Sequence, residues 1–176
     1  MTLEVRDLDL VEQFLNTVDE RTFSRHGKNH VATDELTSPE ALTAWLVAHD
    51  LAAPDMVLDA RDLDTALTLR AALRKALLQA APATELLAGF PLRLAPDRSG
   101  RLRLAAASGV AGLDVIVETV ATSVAASRWN RLKLCAAADC RWAFHDTSRS
   151  GGGRWCSMEV CGNRHKTRTY RQRRPS

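Results

Sequence analysis

The first 134 residues of this 176-residue chain contain no cysteine. Aromatic residues make up only 5% of it, with a single tyrosine. Ala and Leu carry most of the apolar load, and a hydrophobic content of 45% suffices for a packed interior. Both residues favour helix. No run of 18 apolar residues occurs, which rules out a helical membrane span. The opening stretch MTLEVRDLDL is acidic and does not lead from a basic segment into an apolar one. No secretory signal is expected, and the expected location is cytoplasmic. The phosphate-cradling G-x4-G-K-S/T and G-x-G-x2-G patterns and the nucleophile pattern G-x-S-x-G are all missing. His49 and Asp50 are adjacent but have no nucleophile nearby. No residues nominate themselves for catalysis, so an enzyme is not expected.

What the chain does have is a strong polarity of charge behind a net value of +3. Residues 128–176 hold twelve Lys or Arg against three acids (Asp139, Asp146, Glu159), a net +9. Residues 1–127 hold the other twelve against eighteen acids, a net −6. A cationic end on an anionic remainder is the footprint of a nucleic-acid-binding module joined to a non-binding unit. A basic terminus that only solubilises the chain is the plainer alternative.

All four cysteines lie in the cationic end, as two C-x4-C pairs, Cys135 with Cys140 and Cys156 with Cys161, fifteen residues apart. Four thiolates meet the tetrahedral requirement of structural zinc. Soft sulfur ligands favour zinc or an iron–sulfur cluster over hard cations. Each short loop closes at small entropic cost, and one longer loop joins the pairs. A reducing compartment disfavours disulfides. One structural Zn2+ on Cys135, Cys140, Cys156 and Cys161 is the expected cofactor. An iron–sulfur cluster, redox thiols or metal-free thiols are the alternatives. His145 is a spare nitrogen ligand, but four thiolates already complete a tetrahedron.

A basic run follows. Gly162 permits a tight turn and Asn163 can cap a helix from Arg164 to about Arg173. Arg164, Arg168, Arg171 and Arg174 fall at helical spacing on one face, with Tyr170 beside it, and Lys166 and Arg173 share a neighbouring face. Such a stripe matches a DNA backbone or groove. Like-charge repulsion makes the helix marginal alone, and a zinc ligand just before its first turn would hold that end. Arg149, in an expected flexible loop over Ser148–Gly153, and Arg154 just after it can also reach phosphate. Trp142 and Phe144 alternate along a short strand and are expected to share a face over the metal. They can stack on bases, but a module this small needs its aromatics as core.

The run RWCSMEVCGNRHKTRTYRQRR, preceded by CAAADCRWAFHDTSR, closely resembles the CGNR zinc-finger family over about residues 128–174. Its motif stands here as Cys161-Gly162-Asn163-Arg164. Upstream, LVEQFLNTVD and the Trp45-Leu46 segment look like the ABATE domain, associated with stress-induced transcription regulators. The resemblance implies a bacterial regulator. Residues 1–127 would form an ABATE-like α+β domain for a ligand or partner, and residues 128–176 a zinc-bound, DNA-binding domain.

Along residues 1–127, Leu8 and Leu10 suit a strand start, and Val11, Phe14, Leu15 and Val18 sit at helical spacing. Asn16 and Thr17 are expected as local backbone partners near a helix end. Residues 20–37, with His26 and His30, read as a loop. Ser38-Pro39-Glu40 opens a helix to about His49, with Trp45 as core. A long helix spans about Asp59–Ala81, and Arg70 on its apolar stripe calls for an ion pair, snorkelling or an anion. Residues 89–107 read as a hairpin around Asp97–Gly100. A helix follows from about Leu113 to Trp129, with Val117, Val120 and Val124 as apolar positions. The expected class is α+β: a mostly helical domain with a small antiparallel sheet, then a four-cysteine module ending in a basic helix. The leading functional reading is a DNA-binding transcription regulator, with a small-molecule effector or protein contacts at the first domain. A homodimer is compatible with this, although no heptad pattern supports it. The second reading is a zinc-stabilised RNA-binding or protein-interaction module. The third is an enzyme with its pocket in residues 1–127.

Overall fold

A computed structural model describes residues 8–25, 27–79 and 83–173. The chain runs α1 (Leu8–Leu15), β1 (Val18–Asp19), β2 (Ser24–Arg25), β3 (Lys28–Asn29), β4 (Thr33–Asp34), α2 (Pro39–Ala48), α3 (Ala60–Leu77), α4 (Ala83–Leu87), β5 (Leu92–Pro96), β6 (Leu102–Ala106) and α5 (Ala111–Ala125). A 3-10 turn (Trp129–Arg131), β7 (Leu132–Leu134), β8 (Ala143–His145), a π turn (Met158–Gly162) and α6 (Asn163–Gln172) complete it. The strands form four two-stranded antiparallel pairs, β1·β4, β2·β3, β5·β6 and β7·β8. The class is α+β, as expected.

Local chemistry explains the helix limits. Ser38 caps α2 by accepting from the Ala41 amide, with Pro39 at the first position. Asp59 caps α3 through a reciprocal capping box with Asp62. Both starts match the sequence reading. The chain's beginning does not: Leu8 and Leu10 lie in α1, where Leu8, Val11, Phe14 and Leu15 are buried along one face. Residues 20–37 hold two short ladders rather than an open loop. His26 lies outside the described residues.

The main core joins α1, α2, α3 and α5 with the β7–β8 hairpin, through residues such as Phe14, Leu46, Leu69, Ile116, Leu132 and Ala143. Trp45 is core and packs its ring on Phe14 at 5.5 Å. Gly112 lets α5 approach closely, because a Cβ there would lie 2.8 Å from Leu46 Cδ2 and 3.0 Å from the Leu51 carbonyl oxygen. On α5 the apolar stripe is narrower than expected: Val117 is buried, whereas Val124 is 54% exposed. The β5–β6 hairpin turns Ala105 inward and leaves Leu94 and Leu102 on its outer side.

Two long-range polar ties fix α1. Asn16 donates from Nδ2 to the Ala143 carbonyl at 2.9 Å and accepts from the Ala143 amide at 2.8 Å, extending the edge of β8 with a side-chain amide. Thr17 does bond locally, to the Phe14 carbonyl at 2.8 Å. It also accepts from Arg70, whose guanidinium grips Asp34 at 2.7 and 2.5 Å. Arg70 is therefore an ion-pair residue, buried to 6% exposure.

Removing Arg70 strands Asp34 and Thr17. Arg70→Met is expected to destabilise by about 2–3 kcal/mol, less than for a fully buried pair, because Asp34 keeps 34% of its side-chain surface. Burial pushes the Asp34 carboxyl up, but hydrogen bonds from Arg70 and the Leu36 amide outweigh it and leave the group below its ordinary value. Its stabilisation is thus complete above the unfolded value of about 4 and disappears as pH falls through the lower folded value. Urea unfolding across pH should show a flatter acid limb for Asp34→Asn than for the parent.

Candidate metal centre and basic helix

The first cysteine pair sits on the tip of the β7–β8 hairpin. Cys135 follows β7 directly, and its amide donates to the Trp142 carbonyl at 2.9 Å. Cys140 closes a turn through its amide and the Ala137 carbonyl, at 3.0 Å. Arg141 takes a left-handed conformation (φ 52°) to bring the chain back into β8. The second pair flanks the start of the basic helix. The Ala136 amide holds the Arg154 carbonyl at 2.8 Å, which brings Cys156 up to the first pair. Cys161 lies in the π turn that runs straight into α6.

The four sulfurs all lie within 4.8 Å of one another. Cys140 and Cys156 Sγ are 3.7 Å apart, and Cys156 and Cys161 Sγ 3.8 Å. Tetrahedral zinc with Zn–S arms of about 2.3 Å needs edges of about 3.8 Å. Four soft donors at that spacing fit zinc. Holding all four as thiolates would need a cation as well. Hydrogen bonds from the Cys140 and Cys156 thiols hold Cys135 down to about 2. Its ionisation, through the same hydrogen bonds, pushes Cys140 and Cys156 up. Burial first, then the neighbouring sulfurs, pushes Cys161 up to about 12. A divalent ion reverses this, so metal binding releases protons. His145 is not in the sulfur group, nor is any other histidine among the described residues.

The helix is pinned where it begins, but differently from expectation. Ser157 is the cap, accepting from the Val160 amide at 3.3 Å. Gly162 and Asn163 are already helical, so there is no tight turn, and Asn163 does not cap. A strained cap is unnecessary because the π turn carries Cys161 and α6 as one piece. Arg164 turns inward: it ion-pairs with Asp139, stacks 3.8 Å over the Phe23 ring and points Nη1 at Cys161 Sγ, 3.9 Å away. Arg168 lies 3.8 Å from Asp139 with its side chain 67% exposed. Lys166, Arg171, Arg173, Arg149 and Arg154 are exposed. Arg154 sits over the Trp155 ring at 5.3 Å. Arg174 lies outside the described residues.

A family model described as "CGNR zinc finger" matches residues 131–174. One for ABATE, described as "Putative stress-induced transcription regulator", matches residues 8–143, most of the chain. The chain belongs to the ABATE family. It carries a CGNR zinc finger with one structural zinc ion. No curated protein matches it. The two matches overlap on the β7–β8 hairpin, which serves both parts: Leu132, Leu134 and Ala143 lie in the ABATE core, while Cys135 and Cys140 lie in the cysteine cluster.

Several contributors were illegible in the sequence. Phe23, in what read as a polar loop, packs on Cys135, Cys140 and Cys161. The Thr22 amide donates to the Asp139 carbonyl at 3.1 Å, so the ABATE part covers the zinc finger's metal centre. Arg21 lies over Trp142 at 4.3 Å, and Arg74 donates to the Arg141 carbonyl at 3.0 Å. Trp142 joins the cysteine cluster, but Phe144 does not. The Ser148–Gly153 loop, expected to be flexible, is tied down. Asp146 accepts from Lys133 (2.6 Å) and from the Ser148 (3.0 Å) and Gly153 (2.7 Å) amides. Lys133 comes first among the causes holding the Asp146 carboxyl well below the usual range. Gly153 has no room for a side chain: a Cβ would lie 2.6 Å from Asp146 Oδ1.

Metal analysis of the purified protein should return one zinc per chain. A strong chelator should remove it and unfold the finger, because structural zinc contributes on the order of 10 kcal/mol to such modules. Retained circular dichroism and protease resistance after complete zinc loss would contradict the ledger of contacts above. Acidification should release the metal as thiolates reprotonate, read as zinc appearing in a chromogenic assay.

Proposed function

We propose that this protein is a DNA-binding transcription regulator in which a zinc-pinned, arginine-rich helix meets the DNA. Residues 128–176 act as the nucleic-acid unit, with Cys135, Cys140, Cys156 and Cys161 as zinc ligands. Residues 1–127 act as the effector- or partner-binding unit. The observation that carries the reading is α6: it follows directly on the π turn that holds Cys161 and, with Arg173 just past its end, presents Lys166, Arg168, Arg171 and Arg173 to solvent on a segment of net +9. Cations at this density neutralise phosphates, and the released counterions supply affinity. Arg149 and Arg154 flank the helix as further phosphate contacts. Arg174, next in the sequence, is a further candidate contact. Arg164 contributes at its base, its charge shared with Asp139. A pair of copies would read two half-sites.

The reading implies no catalysis and a reducing, cytoplasmic setting where thiolates persist. No helix among the described residues is long and apolar enough to cross a membrane.

Replacing Arg168 and Arg171 together by Ala should weaken duplex binding and lower the salt slope by about two, near one per lost phosphate contact. Anisotropy titrations at several salt concentrations read both quantities. An unchanged affinity and slope would reject the role of this helix. A preference for single-stranded RNA over duplex would move the protein to the RNA-binding class.

A further inference from the structure

The arginine face of α6 does not open onto bare solvent. It lines a groove of about 580 Å³ whose lining includes Ser24 of β2 along with Arg168, Arg171, Thr167 and Gln172. We propose that this groove seats one phosphodiester strand of the DNA, so that Ser24 of the β2–β3 hairpin, the lining residue contributed by the ABATE part, forms the second wall of the nucleic-acid site. This rests on the DNA-binding reading above and deepens it.

Charge selects the ligand. Within the groove Arg164 is already neutralised by Asp139. Arg168, exposed and 3.8 Å from the same carboxylate, and Arg171, also exposed, face one further acid in the lining, Glu159. The wall therefore keeps an excess of cation, which suits a polyanion. Length selects a strand over a small anion. From Asn163 to Gln172 the helix rises about 14 Å, the advance of about four nucleotides along one strand. Besides the apolar Val160, the other lining groups are hydroxyls and amides, Ser24, Thr167, Asn163 and Gln172, the types that bond phosphate and sugar oxygens without reading sequence.

The second wall is preset. Phe23, one residue before Ser24, is locked into the cysteine cluster and lies under Arg164. The Thr22 amide holds the Asp139 carbonyl, and the His30 amide holds the Phe23 carbonyl at 3.0 Å. Ser24 is bonded across the hairpin to Asn29 at 2.5 Å, which fixes its place on the rim. The cysteine cluster thus anchors both walls, through Phe23 beside Ser24 and through Cys161 before α6. A strand lying there touches the ABATE part and the finger at once, and anything that moves β2–β3 changes DNA affinity.

The test uses the full-length, zinc-loaded protein and a labelled mixed-sequence duplex. Ser24→Glu puts a carboxylate on the rim and should weaken binding about tenfold near 0.1 M salt, the worth of roughly one phosphate contact. Ser99→Glu makes the same charge change on the β5–β6 turn and should leave affinity within about twofold, since a remote charge is screened. Ser24 is exposed, so the variant should fold, and its zinc content checks this. Independently, photoreactive benzoylphenylalanine at position 24 should crosslink to the duplex, and at position 99 should not. Parental affinity for Ser24→Glu together with no crosslink from position 24, while Arg171→Ala loses binding, overturns the groove and leaves the DNA reading standing. No duplex binding by the parent protein overturns both.

Discussion

Four thiolates held within 4.8 Å of each other are a repulsive arrangement unless a cation stands among them. Most of the finger depends on resolving that conflict. Few large apolar side chains lie between residues 135 and 162, and of these Trp142, Trp155 and Val160 pack in the cysteine cluster, whereas Phe144 does not join it and Met158 is exposed. Hydrophobic burial on this scale cannot offset the entropy of ordering the segment. Zinc binding free energy makes up the difference, and it acts at the points where β7, β8 and α6 meet.

The metal centre is not an appendage. The hairpin that carries Cys135 and Cys140 also supplies Leu132, Leu134 and Ala143 to the ABATE core. Asn16 pairs with Ala143, Arg74 reaches the Arg141 carbonyl, and Phe23 covers the sulfurs from the other side. Zinc loss therefore exposes a face of the ABATE part as well. Conversely, a ligand that shifts α1 or the 20–30 segment has a short mechanical route to α6. Coupling of this kind needs a physical chain of contacts with two arrangements. The contacts are present, and Arg164, bridging Phe23, Asp139 and Cys161, is their crossing point.

Electrostatics follows the same plan. The +9 of residues 128–176 has three acids against it. Asp146 organises the glycine loop, and Asp139 holds Arg164. Only Glu159 stands in the groove. Two of the three acids are thus partners of inward cations, Asp139 also lying 3.8 Å from Arg168, which leaves the outward cations in excess. Within residues 1–127 two acids pair with buried arginines, Asp34 with Arg70 and Glu20 with Arg74.

Much of this was readable along the chain. Caps at Ser38 and Asp59, the Asp97–Gly100 turn, the α6 periodicity and the C-x4-C pairs are all written within a few residues of where they act. Short-range chemistry fixes them, so single-sequence reasoning finds them. The α1 start was misread because two leucines at alternate positions fit strand and helix equally, and packing against the core decided between them. Burial of Phe23 on sulfur, the amide pairing of Asn16 with Ala143, the inward turn of Arg164 and the restrained glycine loop could not be read at all. Each depends on a partner brought close only when distant segments pack. Composition and local spacing determined that the chain would hold a soft metal beside a cationic helix. Only the tertiary structure decided which arginines stay free and which surface faces them, because both follow from contacts between segments up to 127 residues apart.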